Sequence, residues 1–220
     1  MTFVAIQANE LKLLVEVLSI TVEKDPSDLD EMGQYAYLFT AKSGDDTYLA
    51  GASRSASVGG TFHVPAEFGE LPKGGVAVPV KMLSLIKQAT TVVNKDDILK
   101  LDYDEETKML VVSNGDDEND DSQPLSSIIA PLGKVWPKGG FKKLLTKSEG
   151  EEPSGEELYT KDQLAPLQKV SAKLKEPITI YHSNPETTTR ARVGDWHGWF
   201  LPDESNFDDI EEPDTPFILM

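Results

Sequence analysis

The stretch Gly75-Val-Ala-Val-Pro-Val-Lys-Met-Leu-Ser-Leu-Ile-Lys87 changes the spacing of its apolar residues half-way along. Its first half is a short run of small and β-branched residues, which favours a strand. Pro79 lacks a backbone N–H, which suits the first turn of a helix. From there the apolar residues recur every three or four positions, as Met82, Ile86, Ala89 and Val93. The stretch therefore predicts a strand that leads into an amphipathic helix over about 80–94.

The same order of elements recurs on both sides of this stretch. Helical spacing over about 9–24 and 161–175 predicts two more helices, preceded by short strands at 3–6 and 157–159. Runs rich in β-branched and aromatic residues follow the three helices at 35–39, 47–50, 60–64, 98–102, 109–112, 125–130, 178–181, 189–193 and 197–201. This order of segments thus predicts an α+β fold with three repeats, each consisting of a strand, a helix and three strands. An α+β protein without repeats would also place strands after helices, so the repeat is a hypothesis.

The charge of the chain limits its partners. Among 220 residues there are 38 acidic and 21 basic ones, a formal net charge of −17, and no cysteine. Such an excess of acid repels nucleic acid from most of the surface, so any contact with it must be local. The absence of cysteine excludes disulfides, thiol nucleophiles and zinc–thiolate sites. With no apolar run of about 18 residues and no signal sequence, we expect a cytoplasmic protein without membrane contact.

No set of residues has a catalytic pattern. The histidines, His63, His182 and His197, fall on different predicted strands and lack the spacing of a helical metal site. His197 is more typical of a partly buried strand residue than of a catalytic base. Glycine-rich phosphate loops and the G-x-S-x-G nucleophile motif are also missing. The sequence therefore predicts a protein that is not an enzyme and has no cofactor or metal.

Lysines concentrate on the predicted helices. The second helix has no acidic residue between Lys81 and Lys95, and residues 81, 84, 88, 91 and 95 would share the face opposite its apolar stripe. Lys169 and Lys173 share a face of the third helix. Lysine is common on solvated helix faces, which is the alternative explanation. Two such faces in so acidic a protein nevertheless favour a surface that meets phosphates without reading bases.

Two segments outside the repeats carry their own charge patterns. The stretch 134–147 holds lysines around Trp136 and Phe141, which is consistent with a nucleic-acid contact or, as we favour, a basic connector. The tail 203–220 is acidic and then apolar, ending in Phe217-Ile218-Leu219-Met220. An acidic tail with an apolar end is the kind of segment that docks in a groove of a partner. We expect the last four residues to be the partner-binding site.

The repeat and the stretch 75–87, with its following strands 98–101 and 109–112, resemble a half-domain of the DNA sliding clamps. These proteins include the bacterial polymerase III beta subunit. Trp199-Phe-Leu-Pro202 is similar to a strand near the C-terminus of bacterial clamps. The resemblance covers most of 1–202. It implies helices that line a ring and carry basic residues towards DNA, with acidic sheets outside.

The chain departs from the clamps in having three units, where a clamp domain has two and a whole clamp chain four or six. The resemblance therefore implies one full domain and a partial one. We expect a two-unit domain over 1–133, the connector over 134–156, a third half-unit over 157–202 and the tail over 203–220. We expect the source to be a small phage-encoded relative of the clamps.

The leading hypothesis is a non-enzymatic clamp-like replication factor. It would bind the backbone of duplex DNA through Lys12, Lys81, Lys87, Lys95, Lys169 and Lys173. Other expected partners are a DNA polymerase or another DNA-processing protein, and further copies of the chain. The alternative is a clamp-like adaptor of a recombinase or polymerase that does not encircle DNA. A phosphate-mimicking inhibitor is a third hypothesis, against which the helix lysines count.

Overall fold

The computed structural model of the protein describes residues 2–22, 31–55, 58–115, 124–131, 161–181 and 189–200. Within these ranges, three α-helices accompany twelve strands in two antiparallel sheets, as the predicted α+β class requires. The helices are α1 (Ala8–Thr21), α2 (Leu83–Ala89) and α3 (Lys161–Leu174). The strands are β1 (Thr2–Gln7), β2 (Tyr35–Ser43), β3 (Asp46–Arg54), β4 (Val58–Ala66), β5 (Phe68–Gly69), β6 (Val76–Pro79), β7 (Ile98–Asp104), β8 (Met109–Asn114), β9 (Pro124–Ile129), β10 (Ile178–Tyr181), β11 (Thr189–Val193) and β12 (Trp196–Phe200).

The first two units follow the predicted order and exchange their first strands. β1 pairs with β7 of the second unit, where Val4 lies opposite Leu101. In return, β6 of the second unit pairs with β2 of the first, where Ala36 lies opposite Val78. The five-stranded sheet has the order β5-β1-β7-β8-β9, and the seven-stranded sheet has the order β10-β11-β12-β4-β3-β2-β6. Each unit therefore completes the sheet of the other.

The strands of the third unit extend the seven-stranded sheet. β12 pairs with β4, so that Gly198 lies opposite Gly60 and Trp199 opposite Gly59. The indole rings of Trp196 and Trp199 fill the space that these glycines leave. A Cβ on Gly60 would lie 2.5 Å from Cε2 of Trp196, and one on Gly59 would lie 2.7 Å from Cζ2 of Trp199. This close approach requires glycine and fixes the third unit against the first.

Helix α1 lies between the other two helices and contacts both. It packs on β3 and β4 and buries Leu11, Leu14, Val15 and Leu18 of the predicted apolar stripe. Val22, the last residue of that stripe, follows the helix and is only partly buried. Burial of each such side chain stabilises the fold by roughly 1.5–3 kcal/mol. Helix α2 packs on β8 and β9, and α3 packs on β10 and β11. The three helices therefore lie side by side, and their polar faces form one surface.

The two sheets are connected at two places. At one place the chain runs from β4 into β5, which pairs with β1. At the other place the N–H of Ala77 in β6 donates to the carbonyl oxygen of Pro131, just after β9, at 2.9 Å. The buried hydroxyl of Tyr103 donates to the carbonyl oxygen of Ala130 at 2.9 Å. The Ala77–Pro131 bond therefore links the seven-stranded sheet to the segment after β9, and the Tyr103 hydroxyl fixes that segment from within the five-stranded sheet.

Helix α2 is shorter than predicted. A 3-10 turn over Val80–Met82 precedes it, and it ends at Ala89, so the expected helix over 80–94 is wrong at both ends. The hydroxyl of Thr90 donates to the carbonyl oxygen of Lys87 at 2.7 Å, which satisfies a carbonyl group at the helix end. Met82, placed on the buried stripe, is 40% exposed, and Leu83 is buried instead.

Several sequence predictions concern residues outside the described ranges. These are the strand at 157–159, the whole basic connector and the tail. The expected boundaries at 133 and 157 remain predictions. None of the helices in the described ranges is both long enough and apolar enough to span a membrane.

Candidate nucleic-acid interface

A groove of about 530 Å³ runs along the polar face of α1, between the segment that follows α2 and the end of α3. Helix α1 contributes one wall through Asn9, Lys12 and Leu13. The opposite wall includes Thr90 and Thr91, directly after α2. The charged residues that line the groove are Glu10, Lys12, Glu16, Lys95 and Lys173. The groove thus brings together lysines from three separate parts of the chain.

Glu16 joins all three helices. Its carboxylate on α1 accepts from Nζ of Lys87 on α2 at 2.9 Å and also pairs with Nζ of Lys173 on α3. The Glu16 side chain is 15% exposed, whereas Lys87 and Lys173 are 47% and 38% exposed. One carboxylate therefore holds two lysines from neighbouring helices close together.

The electrostatics of Glu16 follow from these two partners. Partial burial would raise the pKa of the Glu16 carboxyl, because a charge is less well solvated there. The hydrogen bonds and charges of Lys173 and Lys87 outweigh that effect and hold the pKa below its ordinary value. Glu16 is therefore ionised at neutral pH.

Lys95 reaches the groove from a turn, rather than from the helix on which it was predicted. The N–H of Asp97 donates to the carbonyl oxygen of Asn94 at 3.1 Å, and a carboxylate oxygen of Asp97 accepts from the N–H of Asn94 at 2.8 Å. The carbonyl oxygen of Lys95 accepts from the N–H of Asn9 at the start of α1, at 3.0 Å. This turn fixes the backbone of Lys95 against α1 and leaves its ammonium group exposed, 3.9 Å from Asp96.

The predicted face of the second helix is only partly present. Since α2 ends at Ala89, Thr91 and Lys95 do not continue its helical face, and that part of the prediction is wrong. Lys81 lies on the 3-10 turn and is exposed, and Lys169 is exposed on α3. Neither lines the groove. Of the six predicted DNA-binding lysines, Lys12, Lys87, Lys95 and Lys173 gather around Glu16 or the groove.

Sequence reasoning missed Glu16 and Thr90, and it placed Thr91 on the helix instead of after it. Glu16 is four residues from Lys12 on one helix, a spacing typical of an ordinary surface pair. Its actual partners are far away in sequence and meet it only through packing of the helices. No local pattern could have identified that role.

The other candidate residues are the histidines and the C-terminal apolar residues. Two of the histidines pack within the sheet, and the rest of these residues lie outside the described ranges. His197 on β12 is partly buried, which lowers its pKa, and the charges of Arg192 and His63 act in the same direction. The ring of His63 packs edge-on against Tyr48, with 5.3 Å between centroids. His182 and the predicted partner site Phe217–Met220 lie outside the described residues. Within the described residues, no group of three or more metal-binding side chains occurs.

Solved structures show which proteins share this arrangement. The DNA polymerase III beta subunit of Thermotoga maritima aligns with 95% of this chain at 17% identity, with a TM-score of 0.61. The beta subunit of Pseudomonas aeruginosa aligns with 94% at 11% identity, with a TM-score of 0.64. The chain has the sliding-clamp fold. The resemblance predicted from the sequence is thus confirmed for the fold.

The sliding-clamp fold is present here in a shorter chain. The alignment covers 66% of the chain of each of these two beta subunits. A beta sliding clamp from C. crescentus gives the same share, with 92% of this chain covered, 11% identity and a TM-score of 0.55. No protein-family model and no curated protein matches the sequence. Three units in place of a full clamp chain agree with one domain and a partial one.

Proposed function

We propose that the protein is a non-enzymatic, clamp-like processivity factor of DNA replication that lies along duplex DNA. The observation that carries the proposal is the set of lysines gathered on the three-helix surface of a sliding-clamp fold. Lys12, Lys87, Lys95 and Lys173 come together there, although the chain as a whole has a net charge of −17. Ammonium groups bind phosphate oxygens as point charges, so the contact would not depend on base sequence.

The position of the sheets also supports a protein whose helices face the DNA. The polar faces of the helices form one surface, while both sheets pack against the opposite faces of the helices. Because the chain as a whole has a net charge of −17, the surface away from these lysines would repel DNA, and the lysine surface would attract it. The similar structures are those of DNA polymerase III beta subunits and beta sliding clamps. A DNA polymerase is accordingly the partner that we propose, with a phage as the expected source.

A ring would need further copies of the chain. Among the described strands, β9 and β10 are at the ends of their sheets, each with one paired neighbour. Ile129 of β9 is 71% exposed and Tyr181 of β10 is 43% exposed. Unpaired strand edges are templates for pairing with another chain, and a head-to-tail contact that closes gives a ring. We propose that copies join through these edges.

Retention on circular DNA tests the function. The protein is incubated with nicked circular duplex, and bound protein is measured before and after the circle is cut once. A clamp-like protein should remain on the circle and be lost after linearisation, and light scattering should show an oligomer. A strict monomer that leaves both forms of DNA equally fast would exclude encirclement. Affinity for a polymerase without DNA retention would favour the adaptor hypothesis.

A further inference from the structure

Glu16 has an unusual position on the proposed DNA-binding surface. Glu16 is less exposed than either of its two partners, Lys87 and Lys173, and both of these lysines pair with it from other helices. A phosphate group would need the same two ammonium groups that the Glu16 carboxylate already binds. The carboxylate and a phosphate therefore compete for Lys87 and Lys173.

We infer that Glu16 is a built-in competitor of the DNA phosphates, which weakens the grip of Lys87 and Lys173 and so sets the strength of DNA binding. The inference rests on the proposed function, because it takes DNA as the ligand of the three-helix surface. It adds a residue that determines affinity and whose charge is opposite to that of the binding residues. A protein that moves along DNA needs phosphate contacts that break easily, and an internal carboxylate supplies an alternative partner at each step.

The inference follows from how lysines contribute to binding. Each lysine that neutralises a phosphate displaces counterions, and this adds about −0.9 to the slope of log K against log salt. A lysine already paired with a carboxylate has less charge to offer and must first give up its partner. Removal of the carboxylate should therefore add contacts instead of removing them. A purely structural glutamate would act in the opposite direction, since its loss would loosen the helices that carry the lysines.

The main test compares the wild-type protein with Glu16→Gln, which keeps the size of the side chain and removes its charge. Binding to a short duplex of random sequence is measured by fluorescence anisotropy over a series of salt concentrations. We expect Glu16→Gln to bind about tenfold more tightly at ~0.1 M salt, with a slope steeper by about one to two units. Circular dichroism and thermal unfolding establish that the variant is folded.

Glu10→Gln is the matched control. Glu10 lies on the same helix and lines the same groove, so its removal changes the net charge by the same amount. We expect its affinity to change by less than about twofold, because a partly exposed charge acts weakly through solvent. If Glu10→Gln tightens binding as much as Glu16→Gln does, only net charge matters and the inference is wrong.

A second variant background tests whether Glu16 acts through Lys87 and Lys173. In a protein with Lys87→Gln and Lys173→Gln, addition of Glu16→Gln should leave affinity and slope unchanged, because the competed residues are absent. An unchanged or weaker affinity of Glu16→Gln in the wild-type background would overturn the inference while the proposed function stands. Loss of salt-dependent binding in the wild-type protein itself would instead overturn the proposed function.

Discussion

Gly198 occupies the most crowded position at the junction of the third unit with the first. A Cβ there would overlap Cη2 of Trp196 and lie 2.7 Å from the carbonyl oxygen of Gly59. Neither neighbour can move easily, since Trp196 is 1% exposed and Gly59 belongs to a paired strand. We expect Gly198→Ala to lower the free energy of unfolding by about 3 kcal/mol, measured by urea denaturation.

Gly44 provides the control for that substitution. It lies in the turn between β2 and β3 with a φ of +60°, and a Cβ there would meet nothing within 4 Å. Asparagine tolerates this backbone region, so Gly44→Asn should change stability by less than about 1 kcal/mol. A Gly198→Ala variant as stable as the Gly44→Asn variant would contradict the packing described for the junction.

His197 makes the same junction sensitive to pH. Burial lowers its pKa below the ordinary 6.5, helped by the charges of Arg192 and His63 and opposed by Asp195. The unfolded chain therefore binds a proton more readily than the folded one near this pH. Stability from His197 is complete above about pH 6.5 and is lost as the pH falls through the folded pKa.

Unfolding measurements at pH 7.5 and pH 5.5 should show this loss. We expect the wild-type protein to be less stable at the lower pH, and His197→Gln to show a smaller difference, because glutamine does not titrate. A variant whose stability falls as steeply as that of the wild-type protein would show that other groups cause the pH dependence.

At the scale of elements, the attachment of the third unit depends on the pairing of β12 with β4. Trp199 is 1% exposed, and its truncation to alanine should cost about 3–5 kcal/mol. We expect hydrogen exchange of Trp199→Ala to accelerate first in β11, β12 and the residues of β4 that pair with β12, and later in β7 and β8. Val92→Ala is the control, because Val92 is 69% exposed. Simultaneous loss of protection in both sheets would contradict a separable third unit.

The sequence predicted the elements better than their partners. Strands such as 178–181 and 189–193 were predicted with the observed bounds, because alternating apolar residues and turns are local signals. The exchange of β1 and β6 between units depends on pairing across long stretches of chain, which no local pattern encodes. Helix α2 was predicted too long because an apolar stripe continues through Val93, while Thr90 ends the helix.

The candidate site was likewise predicted in its local features but not in its long-range contacts. The lysines were found because their excess on helices is visible in the sequence. Their convergence was not predictable, since Lys95 reaches the groove from a turn and Lys173 arrives through the docking of the third unit. Glu16 was missed for the same reason.

At the scale of the whole molecule, some of the lysines gather on one surface of an otherwise acidic protein. We expect this surface, formed by the polar faces of α1, α2 and α3, to be the part that meets DNA. Lys12, Lys95 and Lys173 line the groove. Lys42, Lys73 and Lys108 carry the same charge and are exposed, and they lie on β2 or in turns away from the groove. Two triple variants, each with three lysines changed to glutamine, therefore remove the same charge from two different parts of the surface.

The salt dependence of duplex DNA binding by these two variants tests the central claim most directly. We predict that the groove variant loses about two to three units of the log–log slope and at least tenfold in affinity at ~0.1 M salt. The variant at Lys42, Lys73 and Lys108 should keep the wild-type slope. Equal losses in the two variants, or a groove variant that binds like the wild-type protein, would contradict a DNA-binding surface on the three helices.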